Sequence, residues 1–151
     1  MGNLLECTAV LLGIVAVCMI FVHSLTVNLA LGATAEYTGL QATFGYTAKG
    51  TLVDVVHFSF SFMNLLSYLL VLAAVVLVVL RLANVVKAKA VDWIAVILFV
   101  VAGVLFFLMP QLAVSELYNG VTKTLAVGAI LSAVFSLVAG ALVCVKAVLK
   151  K

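Results

Sequence analysis

Four apolar runs recur along this chain, at residues 4–27, 54–80, 92–109 and 124–146, each about as long as a bilayer is thick. About 20 apolar residues in helical form cross the hydrocarbon layer. In that layer a chain must pair all of its own amides and carbonyls, which helices do within a single segment. The runs therefore predict an all-α integral membrane protein, a four-helix transmembrane bundle forming a single domain over residues 1–151. Composition agrees, since 9% of the residues are charged and 68% hydrophobic, against about a quarter charged in soluble domains. With four crossings placed, a length of 151 residues leaves no room for a separate soluble domain.

The run at 54–80 is the one most marked by polar groups. Its second half, LLSYLLVLAAVVLVVL, is apolar, but its first half carries Asp54, His57, Ser61, Asn64 and Tyr68. On a helix those steps of three and four return to one face, so the five side chains predict a polar seam. Polar groups are costly in hydrocarbon, and the seam is expected to face other helices or water. Such a helix is central to the bundle.

Charge sets the expected orientation. Six of the eight basic residues, Arg81, Lys87, Lys89, Lys146, Lys150 and Lys151, lie close to the ends of apolar runs and read as topology signals. Short loops rich in Lys and Arg remain cytoplasmic. The connection RLANVVKAKAVDW and the C-terminal lysines then lie inside, and four crossings put the N-terminus there too. The expected location is the plasma (cell) membrane, with both termini cytoplasmic. The N-terminal stretch MGNLLEC lacks the basic region of a cleavable signal, so the first run is expected to be retained.

Residues 28–53 shift to Gly, Thr, Gln and Tyr, and from 40 to 47 apolar and polar residues alternate. Period two is the mark of a half-buried strand. A small extracytoplasmic cap is predicted there, with Thr34 to Thr38 pairing with the alternating stretch through a turn at Gly39; a surface loop with aromatic rings at headgroup depth is the alternative. Pro110 is expected to mark the outer end of the third run, and Asn119-Gly120 a turn in the second outer connection.

In the fourth run Gly128, Ser132, Ser136 and Gly140 recur every four residues and form a small-residue stripe. Stripes of this kind let helix backbones approach closely in lipid. The stripe predicts a packing face, towards either another helix of the chain or a second copy.

Few residues point to chemistry. His23, His57 and Asp54 are expected at similar depth at the outer end, where two imidazoles and a carboxylate could hold a metal or pass a proton. Without a spacing such as HxxxH or CxxC, the favoured reading is structural, with the histidines bonded to loop backbone or to each other, and no metal or cofactor is expected. Membrane thiol oxidoreductases need a CxxC, and Cys7, Cys18 and Cys144 do not form one. Glutathione-linked membrane enzymes need an Arg and a Glu on the second helix to hold the cofactor, and this helix lacks that pair. Glu6 resembles in position the helix-one carboxylate of small multidrug exporters, but its place near the terminus sets it outside the bundle centre. The order of first helix, long outer loop, second helix, inner loop and two helices with a short outer loop resembles the outline of claudins and related tetraspan proteins. The claudin signature of Trp, Gly-Leu-Trp and two outer cysteines is missing from residues 28–53, so no claudin function is carried to any residue.

The expectation is a non-enzymatic structural, scaffolding or accessory membrane component. It would work within the lipid bilayer as a homo-oligomer or part of a larger membrane complex, with no nucleic acid, and the sequence identifies no small-molecule substrate. The alternative is a small oligomeric channel or transporter subunit with an outer vestibule lined by the seam. The two separate on whether the seam is dry or open to water.

Overall fold

The computed structural model describes residues 2–28, 34–49, 54–113, 115–117 and 122–149. Four helices are long and apolar enough to cross a membrane. They are α1 (Gly2–Cys18), extended by the 3-10 turn Met19–Phe21, then α3 (Phe62–Leu82), α4 (Ala90–Phe107) and α6 (Val127–Leu149). Each packs on two others, α1 on α3 and α6, and α4 on α3 and α6, closing a ring. The outward faces carry Leu11, Ile14, Leu72, Val76, Ile97, Val104, Val134 and Val138, all exposed. An apolar exterior along four such helices marks an integral membrane protein.

The interior is built from small residues around aromatic rings. Phe99 and Phe106 of α4 are fully buried. A Cβ on Gly13 of α1 would come 3.3 Å from the Phe99 ring, and one on Gly140 of α6 would come 3.1 Å from Phe99 Cβ. The Phe99 side chain thus occupies space that both neighbours leave by lacking side chains, its ring against Gly13 and its Cβ against Gly140. This is the geometry by which helices in lipid gain van der Waals contact.

At one end the chain forms a cap of two three-stranded antiparallel sheets. One has the order β2-β1-β6, from β1 (His23–Asn28), β2 (Thr34–Thr38) and β6 (Thr122–Leu125). The other has the order β3-β4-β5, from β3 (Tyr46–Lys49), β4 (Asp54–Phe58) and β5 (Ser115–Leu117). Both helix connections at this end contribute strands to both sheets, so the cap ties the first half of the chain to the second. Tyr37 of β2 bridges the sheets: its ring meets Phe58 edge-on at 4.9 Å and Tyr46 at 5.9 Å between centroids. The opposite end, called here the loop end, holds the connection between α3 and α4.

Three expectations are corrected at the cap. The helix expected from residue 54 begins at Phe62, because DVVHF extends into β4 between two partner strands. The helix expected to run to residue 27 ends in a 3-10 turn at Phe21, and HSLTVN becomes β1 with Leu25 and Val27 fully buried. Alternating β-branched and polar residues fit a pleated, half-buried surface better than a helix. The hairpin is also paired differently. Thr34–Thr38 is a strand, but it pairs with β1, while Gly39–Phe44 forms the short helix α2. The alternation at 40–47 loses to a capping box: the Thr38 hydroxyl accepts from Gln41 N–H at 3.2 Å, and Gln41 Oε1 accepts from Thr38 N–H at 3.0 Å. Gly45 follows at φ +96°, where a Cβ would lie 2.8 Å from the Phe58 carbonyl.

Pro110 lies in the first turn of the one-turn helix α5 (Met109–Leu112), just past the end of α4, where its missing amide proton costs nothing. The Asn119-Gly120 turn and the lysines at 150 and 151 lie outside the described residues.

Candidate functional site

Polar side chains inside the bundle lie below the cap, along α6 and at the loop end. Below the cap, the predicted seam divides. Asp54 and His57 belong to β4, where Asp54 pairs with Lys49 and His57 with Thr47 and Glu116; their side chains lie outside the described residues. Ser61, Asn64 and Tyr68 remain on α3 and are buried.

Ser61 is the N-cap of α3. Its hydroxyl accepts from Asn64 N–H at 3.4 Å and donates to the Leu112 carbonyl of α5 at 2.7 Å. Asn64 donates from Nδ2 to the Ala42 carbonyl of α2 at 3.4 Å. Ser67, one turn on, donates to the Met63 carbonyl of its own helix at 3.1 Å. Tyr68 packs edge-on against Phe106 at 4.8 Å, and a Cβ on Gly39 would overlap its hydroxyl. Three buried atoms of this region, Thr43 Oγ1, Asn64 Oδ1 and Tyr68 Oη, have no hydrogen-bond partner among the described residues.

Of the expected outer grouping, His23 lies in β1 and Asp54 and His57 in β4, and whether the three side chains meet lies outside the described residues. His23 opens β1 and His57 sits in the other sheet, and the exposed His23 imidazole lies 3.4 Å from Glu36. Among the described residues no three His, Cys, Asp or Glu side chains come together as metal ligands.

The stripe on α6 faces the chain's own helices. Ser132 donates to the Ala16 carbonyl of α1 at 3.0 Å, and Ser136 donates to the Phe99 carbonyl of α4 at 2.7 Å. A Cβ on Gly128 would come 2.8 Å from the His23 carbonyl, and Gly140 lies against Phe99. The four residues thus thread between two neighbours, each step set by backbone contact or by a hydroxyl on a helix carbonyl.

The loop end holds the group that a reading of the sequence as separate signals misses. Lys146 of α6 is 1% exposed, and its ammonium contacts Glu6 of α1 and lies 3.2 Å from Asp92 of α4. Arg81 of α3 closes the set, its Nε 3.3 Å from the same Asp92 oxygen. Each of the four spanning helices contributes one charge, two acids and two bases, to a network that is neutral as a whole. Arg81 and Lys146 are more than topology signals, and Glu6 is not peripheral, since it is 3% exposed. Helix direction explains the pattern. Successive helices alternate, so the starts of α1 and α4 meet the ends of α3 and α6, with acids near the starts and bases near the ends. That is the arrangement that complements the helix dipoles. Equal depth and alternating sign were present in the sequence as the signal for this network.

A polar cavity of about 210 Å³ opens beside the network, lined by Asn3, Glu6, Arg81, Leu82, Asn84 and Lys146. Asn84 holds φ at +58° where α3 ends, and the Val85 amide turns back to the Leu80 carbonyl, a left-handed helix stop. On the cap, burial and the neighbouring Tyr46 raise the Tyr37 pKa above its usual 10.0, and burial lowers that of Lys123, whose ammonium donates to the Ala113 carbonyl at 2.7 Å. Compared with family models, curated proteins and solved structures, the chain matches none of them.

Proposed function

We propose that the protein is a non-enzymatic structural component of a membrane assembly, with its cap outside the cell membrane and its loop end in the cytoplasm. The observation that carries this reading is where the interior polar groups go. Ser61, Asn64, Ser132 and Ser136 each bond to the backbone of a different segment of the same chain. The buried charges likewise meet partners on other helices. Side chains bonded in this way fix helix positions and leave little for a moving solute to bind. Lys87 and Lys89, in the connection between α3 and α4, support a cytoplasmic loop end. Association with a second copy or a larger complex uses the outward faces of the helices, because the small-residue stripe is already covered within the chain.

One observation favours the alternative of a small channel or transporter subunit. Among the described residues Thr43 Oγ1, Asn64 Oδ1 and Tyr68 Oη are buried without partners, as atoms lining a hydrated vestibule would be. Single cysteines at Ser61, Asn64 and Tyr68, in a background without Cys7, Cys18 and Cys144, separate the two readings. On the structural reading a charged thiol reagent leaves all three unlabelled in intact membranes, and proteoliposomes show no solute flux. Labelling at all three together with flux overturns it in favour of the channel.

A further inference from the structure

The cavity at the loop end is a built polar site whose chemistry points to one class of ligand. Five of its six lining residues carry polar side chains, and Leu82 is the sole apolar one. Two of the five are cationic and held in place. Arg81 is fixed by Asp92 through Nε and by the Val86 carbonyl through one Nη at 3.1 Å. A guanidinium has five N–H groups, so those contacts leave further donors for an occupant of the cavity that Arg81 lines. Lys146 is held by Glu6 and Asp92, which together satisfy two of the three ammonium protons. The Asn3 and Asn84 amides add neutral donors to the lining. Asn3 lies in the first turn of α1, at the positive end of that helix. Glu6 is the one anion in the lining, and its charge is matched by the Lys146 ammonium against it.

From this arrangement we infer that the cavity binds a phosphate group. A space of about 210 Å³ lined by Arg81, Asn3 and Asn84 suits a compact anion with several acceptor oxygens. The surroundings suit a phosphate carried on a lipid. Leu4, next to Asn3, and Leu149, one turn beyond Lys146, are each 69% exposed on the helices that flank the cavity. They offer acyl chains an apolar surface beside a polar headgroup site. Basic pockets between helices at a membrane interface are used in this way. The inference holds whether the protein is a scaffold or a channel subunit.

The full-length protein, delipidated in mild detergent, is examined by native mass spectrometry with dioleoyl phosphatidylglycerol, with dioleoylglycerol, which lacks the phosphate, and with inorganic phosphate as competitor. The expected result is a single retained phosphatidylglycerol and no retained dioleoylglycerol. Asn3→Phe, which fills the cavity and leaves the ionic network intact, weakens retention about tenfold or more, and Arg81→Gln does the same by removing the fixed cation. Displacement by inorganic phosphate assigns the site to the phosphate itself, whatever its carrier. Resistance to it assigns the site to lipid, with the acyl chains contributing. Equal retention of the two lipids, or retention unchanged in Asn3→Phe, overturns the inference. Because Asn3→Phe spares the four charged residues, a loss of binding there is separable from a loss of folding.

Discussion

The two ends of the bundle are held by different physics. At the cap end, neutral groups meet backbone: Ser61 reaches Leu112, Asn64 reaches Ala42, and Tyr37 wedges between two sheets. At the loop end, ions meet ions, with Glu6, Arg81, Asp92 and Lys146 drawn from four different helices. Neutral hydrogen bonds contribute about 1 kcal/mol each and fail one at a time. A buried ionic network behaves otherwise, because removing one member leaves its partners charged in a medium that solvates them poorly. The cap is therefore expected to degrade gradually and the loop end to fail as a unit.

The sharpest way to break that contrast is Lys146→Met. It leaves Glu6 and Asp92 without their shared cation and is expected to lower stability by about 3–5 kcal/mol, read as a fall in the thermal midpoint in detergent. The double variant Glu6→Gln with Lys146→Met recovers part of that loss, since one orphaned charge goes with its partner. If the single variant melted with the wild type, the network would be ornamental. Next in size is Gly140→Leu, which forces a side chain against Phe99 and is expected to cost about 1–3 kcal/mol through overpacking. Asn64→Leu tests the cap end and is expected to cost only about 1 kcal/mol. A penalty matching that of Lys146→Met would erase the distinction between the ends.

The smallest effect depends on pH. The folded cap holds Tyr37 protonated above its ordinary pKa of 10.0, while the unfolded chain ionises there. The stability from this group is complete below pH 10 and is lost as pH rises through that value towards the raised one. Tyr37→Phe keeps the ring contact with Phe58 and is expected to remove this alkaline loss. Denaturation curves at neutral and alkaline pH for the two proteins check it, and an undiminished alkaline loss in the variant assigns the effect elsewhere.

The spanning helices were legible in the sequence because about 20 apolar residues in a row admit few other structures. Their cap-side ends were less so. HSLTVN and DVVHF are apolar enough to extend a hydropathy run, and only pairing across distant parts of the chain makes them strands. The steps of three and four from Asp54 to Tyr68 suggest one helical face, yet the chain turns from strand to helix between His57 and Phe62. The capping box at Thr38 and Gln41 was written locally and outweighs the alternation that follows it. The loop-end network was legible in a different sense. Glu6, Arg81, Asp92 and Lys146 look like unrelated terminal charges until antiparallel helices bring their depths together.

Glu6 and Lys146 are 140 residues apart in sequence, nearly the span of the chain. Until α6 is in place, the Glu6 carboxylate lacks the counter-ion that it meets in the folded chain. Closure of this end thus requires all four spanning helices to lie in alternating directions. Without Lys146 this end sets two acids against a single arginine, an excess of one negative charge among buried groups.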